Sequence, residues 1–152
     1  MRLVKNISFF LIIGFIITKI CECLKSEFLF KYLQDNIIGL LLTLLAINTA
    51  TLGLIASKIQ DFIEKYEGMS FVKTIKEMKF SLKEQVVLIG LSIVVLILLK
   101  SEIINFEFKD TLCNSVLVSV LLYSVVILYD TGKAVFVIIE LIEGINKHKE
   151  DQ

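Results

Sequence analysis

The chain has 152 residues, 56% of them hydrophobic and only 21% charged, and its mean hydropathy is +0.81. An ordinary soluble domain is about 45–50% apolar, so the composition excludes that class and points to a membrane. Sixteen basic residues balance sixteen acidic ones; no overall field favours nucleic acid, and the chain carries no nucleic-acid motif, nucleotide loop, catalytic triad or metal cluster.

The first segment, MRLVKNISFFLIIGFIITKIC, has a basic start and an apolar core. No small-residue pair prepares a cleavage site, so it reads as a retained anchor over about residues 3–20, with Lys5 and Lys19 snorkelling at its ends. A mixed-charge connection follows, in which Leu24, Phe28 and Leu29 suit the membrane surface. Residues 37–57, IIGLLLTLLAINTATLGLIAS, hold neither charge nor proline. That is about the length that crosses a ~30 Å hydrocarbon layer at ~1.5 Å per residue. Gly39, Thr43, Ala46, Ala50, Gly53 and Ser57 recur at steps of four and three, so they form one small-residue stripe suited to close helix packing. Asn48 lies opposite this stripe, among leucines.

Past residue 57 an apolar line at Ile59, Phe62, Ile63 and Tyr66 carries the helix onward. Glu67-Gly68 reads as its end and Ser70 as a cap for a second amphipathic piece, Phe71 to Phe80. That piece sets Lys73, Lys76, Lys79 and Lys83 against an apolar face, a pattern suited to docking a partner or lipid. Ser81-Leu82-Lys83-Glu84 has the form of a capping box before an apolar run and marks the start of a third span, about 84–100. A fourth span covers about 111–130, and the tail 131–152 continues as helix.

Eleven basic residues fall on the side of the amino terminus, the 58–84 loop and the tail, against five on the other side. The positive-inside rule then expects a bacterial inner membrane protein with both termini cytoplasmic. The fold class expected is all-α, a single polytopic membrane domain of four transmembrane helices with short cytoplasmic helical extensions.

Three sets of residues invite a chemical reading. Cys21, Cys23 and Cys113 fall at the outer ends of spans one and four, where a disulfide is allowed. The layout is similar to the four-helix thiol oxidases that pass electrons to a quinone, which implies a thiol redox protein. Those families use C-x-x-C, whereas Cys21-Glu22-Cys23 is C-x-C. His148, the only histidine, lies across the membrane from the cysteines, so no zinc site is expected. Intramembrane ionisable residues usually mark a pathway, and none is expected well inside a span. Ser115 and Ser119 make a second small-residue pair, for packing. Asn48, Thr51 and Tyr123 are the polar intramembrane groups that an assembled pore would use.

The segment AINTATLGLIASKIQD, which leaves the membrane as a helix, together with the size and span count, resembles the KwaA family of small four-span membrane proteins in bacterial anti-phage defence (the Kiwa system). The resemblance implies an oligomeric scaffold and sensor at the inner membrane that recruits a soluble cytoplasmic partner. The expectation is therefore a non-enzymatic homo-oligomer in contact with membrane lipids, without cofactor or direct nucleic-acid binding, docking its partner on residues 58–84 and the tail. A pore-forming effector or holin-like channel is the alternative.

Overall fold

The computed structural model describes the backbone of residues 2–65, 71–104 and 106–150, and the side chains of 7–64, 71–104 and 106–140. All of the regular structure among them is helical: α1 (Arg2–Cys23), α2 (Phe28–Lys65), α3 (Val72–Lys100) and α4 (Lys109–Glu150). The absence of proline leaves nothing to break these runs from within. Three of them, Phe28–Glu64, Val72–Lys100 and Lys109–Glu140, are long and apolar enough to cross a membrane.

The helix boundaries depart from the sequence reading in two places. The amphipathic turn expected before residue 37 is already part of α2, which begins at Phe28. The capping box at Ser81 does not start a helix, because α3 begins at Val72 and passes through Ser81 and Glu84 without a break. Lys76, Lys79 and Lys83 are good helix formers and sit on its exposed side, so nothing local stops the helix between Phe80 and Ser81. The expected end at Glu67-Gly68 and cap at Ser70 lie outside the described residues. The continuation of the fourth helix beyond residue 130 is observed, to Glu150.

α4 is the axis of the bundle. It packs against each of the other three helices, and α2 also packs against α3. Of its most apolar stretch 56% is buried, against 22% for the corresponding stretches of α2 and α3. Leu33, Ile37 and Leu41 of α2, Leu88 and Val95 of α3, and Leu117, Val120, Tyr123 and Ile127 of α4 form the main core. A second cluster continues it, with Leu52, Ile55 and Ile59 of α2 packed by Phe71 just before α3, by Met78 and Leu82 of α3, and by Ala134, Val135 and Ile138 of α4. The outside of the bundle is as apolar as the inside: Phe9, Ile12, Leu42, Leu54, Val86, Val94, Ile97 and Val125 are among its exposed side chains. In water such a surface would aggregate, whereas in lipid it is solvated.

α1 approaches α4 at Gly14. A Cβ there would collide with Ser119 Oγ and stand 2.5 Å from the Ser115 carbonyl oxygen. Both serine hydroxyls are turned back onto their own helix, Ser115 donating to the Thr111 carbonyl at 2.7 Å and Ser119 to the Ser115 carbonyl at 2.6 Å, so the contact surface stays thin. At the end of α1 the chain turns at Lys25, whose φ of 52° is left-handed. The Ser26 amide bonds the Cys21 carbonyl and the Lys25 amide bonds the Glu22 carbonyl, which is a Schellman closure with lysine where glycine is usual.

Candidate functional site

Asn48 is completely buried. It lies at the middle of the uncharged stretch of α2, about ten residues and so ~15 Å from Lys58. Its amide nitrogen donates to Gln85 Oε1 at 2.9 Å and to Ser81 Oγ at 3.1 Å. On the next face of α3 the Glu84 carboxylate accepts a bond from the Tyr123 hydroxyl of α4 at 2.6 Å. The Tyr123 ring in turn stacks on Phe10 of α1, with centroids 5.1 Å apart and planes at 30°. Side chains from all four helices thus meet in one layer, in which Glu84 is 9%, Gln85 3% and Tyr123 4% exposed.

Helical spacing builds this layer. Ser81, Glu84 and Gln85 stand at i, i+3 and i+4 of α3, with Leu88, Ser92 and Val95 on the same buried face, so the polar triplet enters the bundle as the first turns of a core stripe. Tyr123 is seven residues, or ~10 Å, from Asp130, where the apolar run of α4 ends. Glu84 is therefore buried within the bundle at the level of Tyr123, part-way along α3. The signal was present as S-x-x-E-Q. It takes this meaning once residues 72–100 form one helix.

Among the described residues three buried side-chain polar atoms have no hydrogen-bond partner: Asn48 Oδ1, Gln85 Nε2 and Ser124 Oγ. All three belong to this layer or adjoin it in sequence. Such atoms are costly in an apolar interior.

The small-residue stripe of α2 is found elsewhere. Gly39, Thr43, Ala46, Ala50, Gly53 and Ser57 are all exposed, and a Cβ at Gly39 or Gly53 would meet nothing within 4 Å. Packing inside the chain uses the opposite face, because Leu33, Ile37, Leu41, Asn48, Leu52 and Ile55 bury more apolar area. The hydroxyls of Thr43, Thr49 and Thr51 donate to the carbonyls of Gly39, Leu45 and Ile47, at 2.9, 2.8 and 2.9 Å. Asn48 and Tyr123 meet through the α3 residues, and Thr51 stays apart from them. Lys73, Lys76, Lys79 and Lys83 are exposed along α3.

At the far end of the bundle, Glu22 accepts bonds from Lys19 at 2.7 Å and from Thr111 of α4 at 2.7 Å. These two donors hold its carboxyl below the ordinary carboxylate range. Gln34 of α2 donates to Asn114 of α4 at 3.1 Å. Cys21, Cys23 and Cys113, among which a disulfide was allowed, are free thiols, Cys113 buried and Cys23 exposed. No group of three potential metal ligands occurs among the described residues.

No protein-family model, curated protein or solved structure matches this chain.

Proposed function

We propose that this chain is a non-enzymatic membrane scaffold, a homo-oligomer of four-span subunits whose basic helical projection docks a soluble cytoplasmic partner. The observation that carries the reading is the second apolar cluster. From Leu52 onward, α2, α3 and α4 remain packed together through Ile55, Ile59, Phe71, Met78, Leu82, Val135 and Ile138. The three helices thus stay packed together from Leu52 onward. Along its rim Lys73, Lys76, Lys79 and Lys83 are exposed, which suits an acidic surface on the partner.

α1 completes the four spans in this reading, since its exposed Phe9, Ile12, Phe15 and Ile16 suit lipid. The lysine distribution places both termini and the projection in the cytoplasm of a bacterial cell. The uncovered stripe from Gly39 to Ser57 is the subunit contact, because small residues let backbones approach where lipid offers no hydrophobic drive. A role in anti-phage defence rests on the resemblance to the KwaA family alone.

The test is co-purification from native membranes. Charge reversal at Lys73, Lys76, Lys79 and Lys83 should remove the soluble partner while leaving the number of membrane subunits in the particle unchanged. Retention of every partner by that variant would overturn the docking reading.

A further inference from the structure

We propose that α3 carries a site for one anionic phospholipid, with Lys79 and Lys83 holding the phosphate and a notch at Gly90 taking an acyl chain. The site rests on α3 crossing a bilayer, as the scaffold reading does, and needs no soluble partner.

Depth places the two lysines at headgroup level. Lys79 and Lys100, the last residue of α3, are separated by ~32 Å of helix, close to the ~30 Å of a hydrocarbon layer. They mark the two edges of the apolar run. Lys83 stands about one turn inside the first edge and reaches back to it along its own methylenes. Lys73 and Lys76 lie about two turns and one turn farther out, on the side left for a soluble partner.

Charge selects the headgroup. Lys79 and Lys83 are both exposed and stand at i and i+4, so their Cβ atoms are ~6 Å apart on one face. A single phosphodiester can accept from both ammonium groups. The neighbouring acids do not compete: Glu84 is turned inward to accept from Tyr123, and Glu77 lies about 160° around the helix from Lys79. Among the described residues, the ion pairs are those of Lys19, Lys31 and Lys58, and neither lysine of this site belongs to one. A lipid of net negative charge is therefore favoured over a zwitterionic one, whose own ammonium group is repelled.

Shape supplies an observation independent of charge. Gly90 is two turns, or ~10 Å, below Lys83 on the same face, and a Cβ built there would meet nothing within 4 Å. Val86, Val87, Ile93 and Val94 surround it and are exposed, so they wall a shallow notch that opens away from the bundle. The buried face of α3, with Leu88, Ser92 and Val95, is on the opposite side of the helix. An acyl chain descending from the two lysines lies over the glycine.

The test equilibrates the full chain in vesicles of equal phosphatidylglycerol and phosphatidylethanolamine with the same acyl chains, releases it into mild detergent, and weighs it with its retained lipid by native mass spectrometry. The wild type should keep one phosphatidylglycerol per subunit in preference to phosphatidylethanolamine. Lys79→Gln and Lys83→Gln should each weaken that retention about fivefold, whereas Lys73→Gln with Lys76→Gln should weaken it less than about twofold. Gly90→Leu fills the notch and leaves the lysines, so retention should fall while the preference for phosphatidylglycerol persists. Equal retention of the two lipids by the wild type, or an equal loss from the Lys73 and Lys76 pair, would overturn the site in favour of diffuse surface charge. Full retention by Gly90→Leu would overturn the lipid assignment in favour of a site for phosphate alone. No soluble partner takes part, so each of these failures leaves partner docking standing, and failure to co-purify a partner leaves the lipid site standing.

Discussion

Gly14 and Asn48 hold the bundle together by opposite means, and each can be tested by a single substitution. At Gly14 the limit is space. The nearest obstacles to a Cβ include the Ser115 carbonyl at 2.5 Å and the Ser119 amide nitrogen at 3.0 Å, which are backbone and cannot rotate away. Gly14→Ala should therefore push α1 off α4 and cost about 1–3 kcal/mol, read as a lower midpoint in detergent denaturation. Adding Ser119→Gly should restore only part of this, since the carbonyl remains. At Asn48 the limit is polarity. Asn48→Leu leaves Gln85 without its bond in a buried site and should cost about 1–3 kcal/mol, whereas Asn48→Leu with Gln85→Leu should be milder because no polar group is then stranded. At Lys25, a residue with a side chain occupies a left-handed turn. Lys25→Gly should raise stability by about 0.5–1 kcal/mol in the same assay.

Among the elements, α3 shows what periodicity alone could convey. Apolar content marked α2 and α4 as helices able to cross a membrane because each holds a long charge-free run, and the continuation of α4 was legible in the spacing of Val135, Ile138 and Ile142. In α3 the charges at Lys73, Lys76, Lys79 and Lys83 suggested a loop helix followed by a new start at Ser81. The local signal for a capping box is four residues long, and tertiary packing overrides it. Ser81 accepts from Asn48 and Glu84 from Tyr123, so neither side chain is used to cap a terminus. The stripe on α2 lies along one exposed face, and its spacing could not assign it a neighbour, since the same spacing serves contact within or between subunits. Continuity of α3 has a direct check. Phe80→Pro would be tolerated at a helix start, but in the middle of α3 it removes a hydrogen bond and should cost about 3 kcal/mol or more, with loss of helical circular dichroism.

For the whole molecule, the two ends of the bundle respond to different conditions. At the α1–α4 end the tie between Glu22, Lys19 and Thr111 lowers the carboxyl's proton affinity in the folded state. Its contribution is thus present above the ordinary carboxylate range and is lost as pH falls through the depressed folded value. Glu22→Gln should remove that part of the acid dependence, measured as denaturation midpoints across acidic pH. The same end also decides orientation. Cys23 is exposed beside Glu22, whereas Cys113 is buried, so the native thiols report both topology and packing. With both termini cytoplasmic, a membrane-impermeant maleimide added to intact cells that lack an outer barrier should label Cys23 and spare Cys113. Labelling of Cys23 only after the membrane is permeabilised would invert the molecule, moving the lysine-rich projection outside. A cytoplasmic partner would then be excluded, because the exposed Lys73, Lys76, Lys79 and Lys83 would face the other side of the membrane.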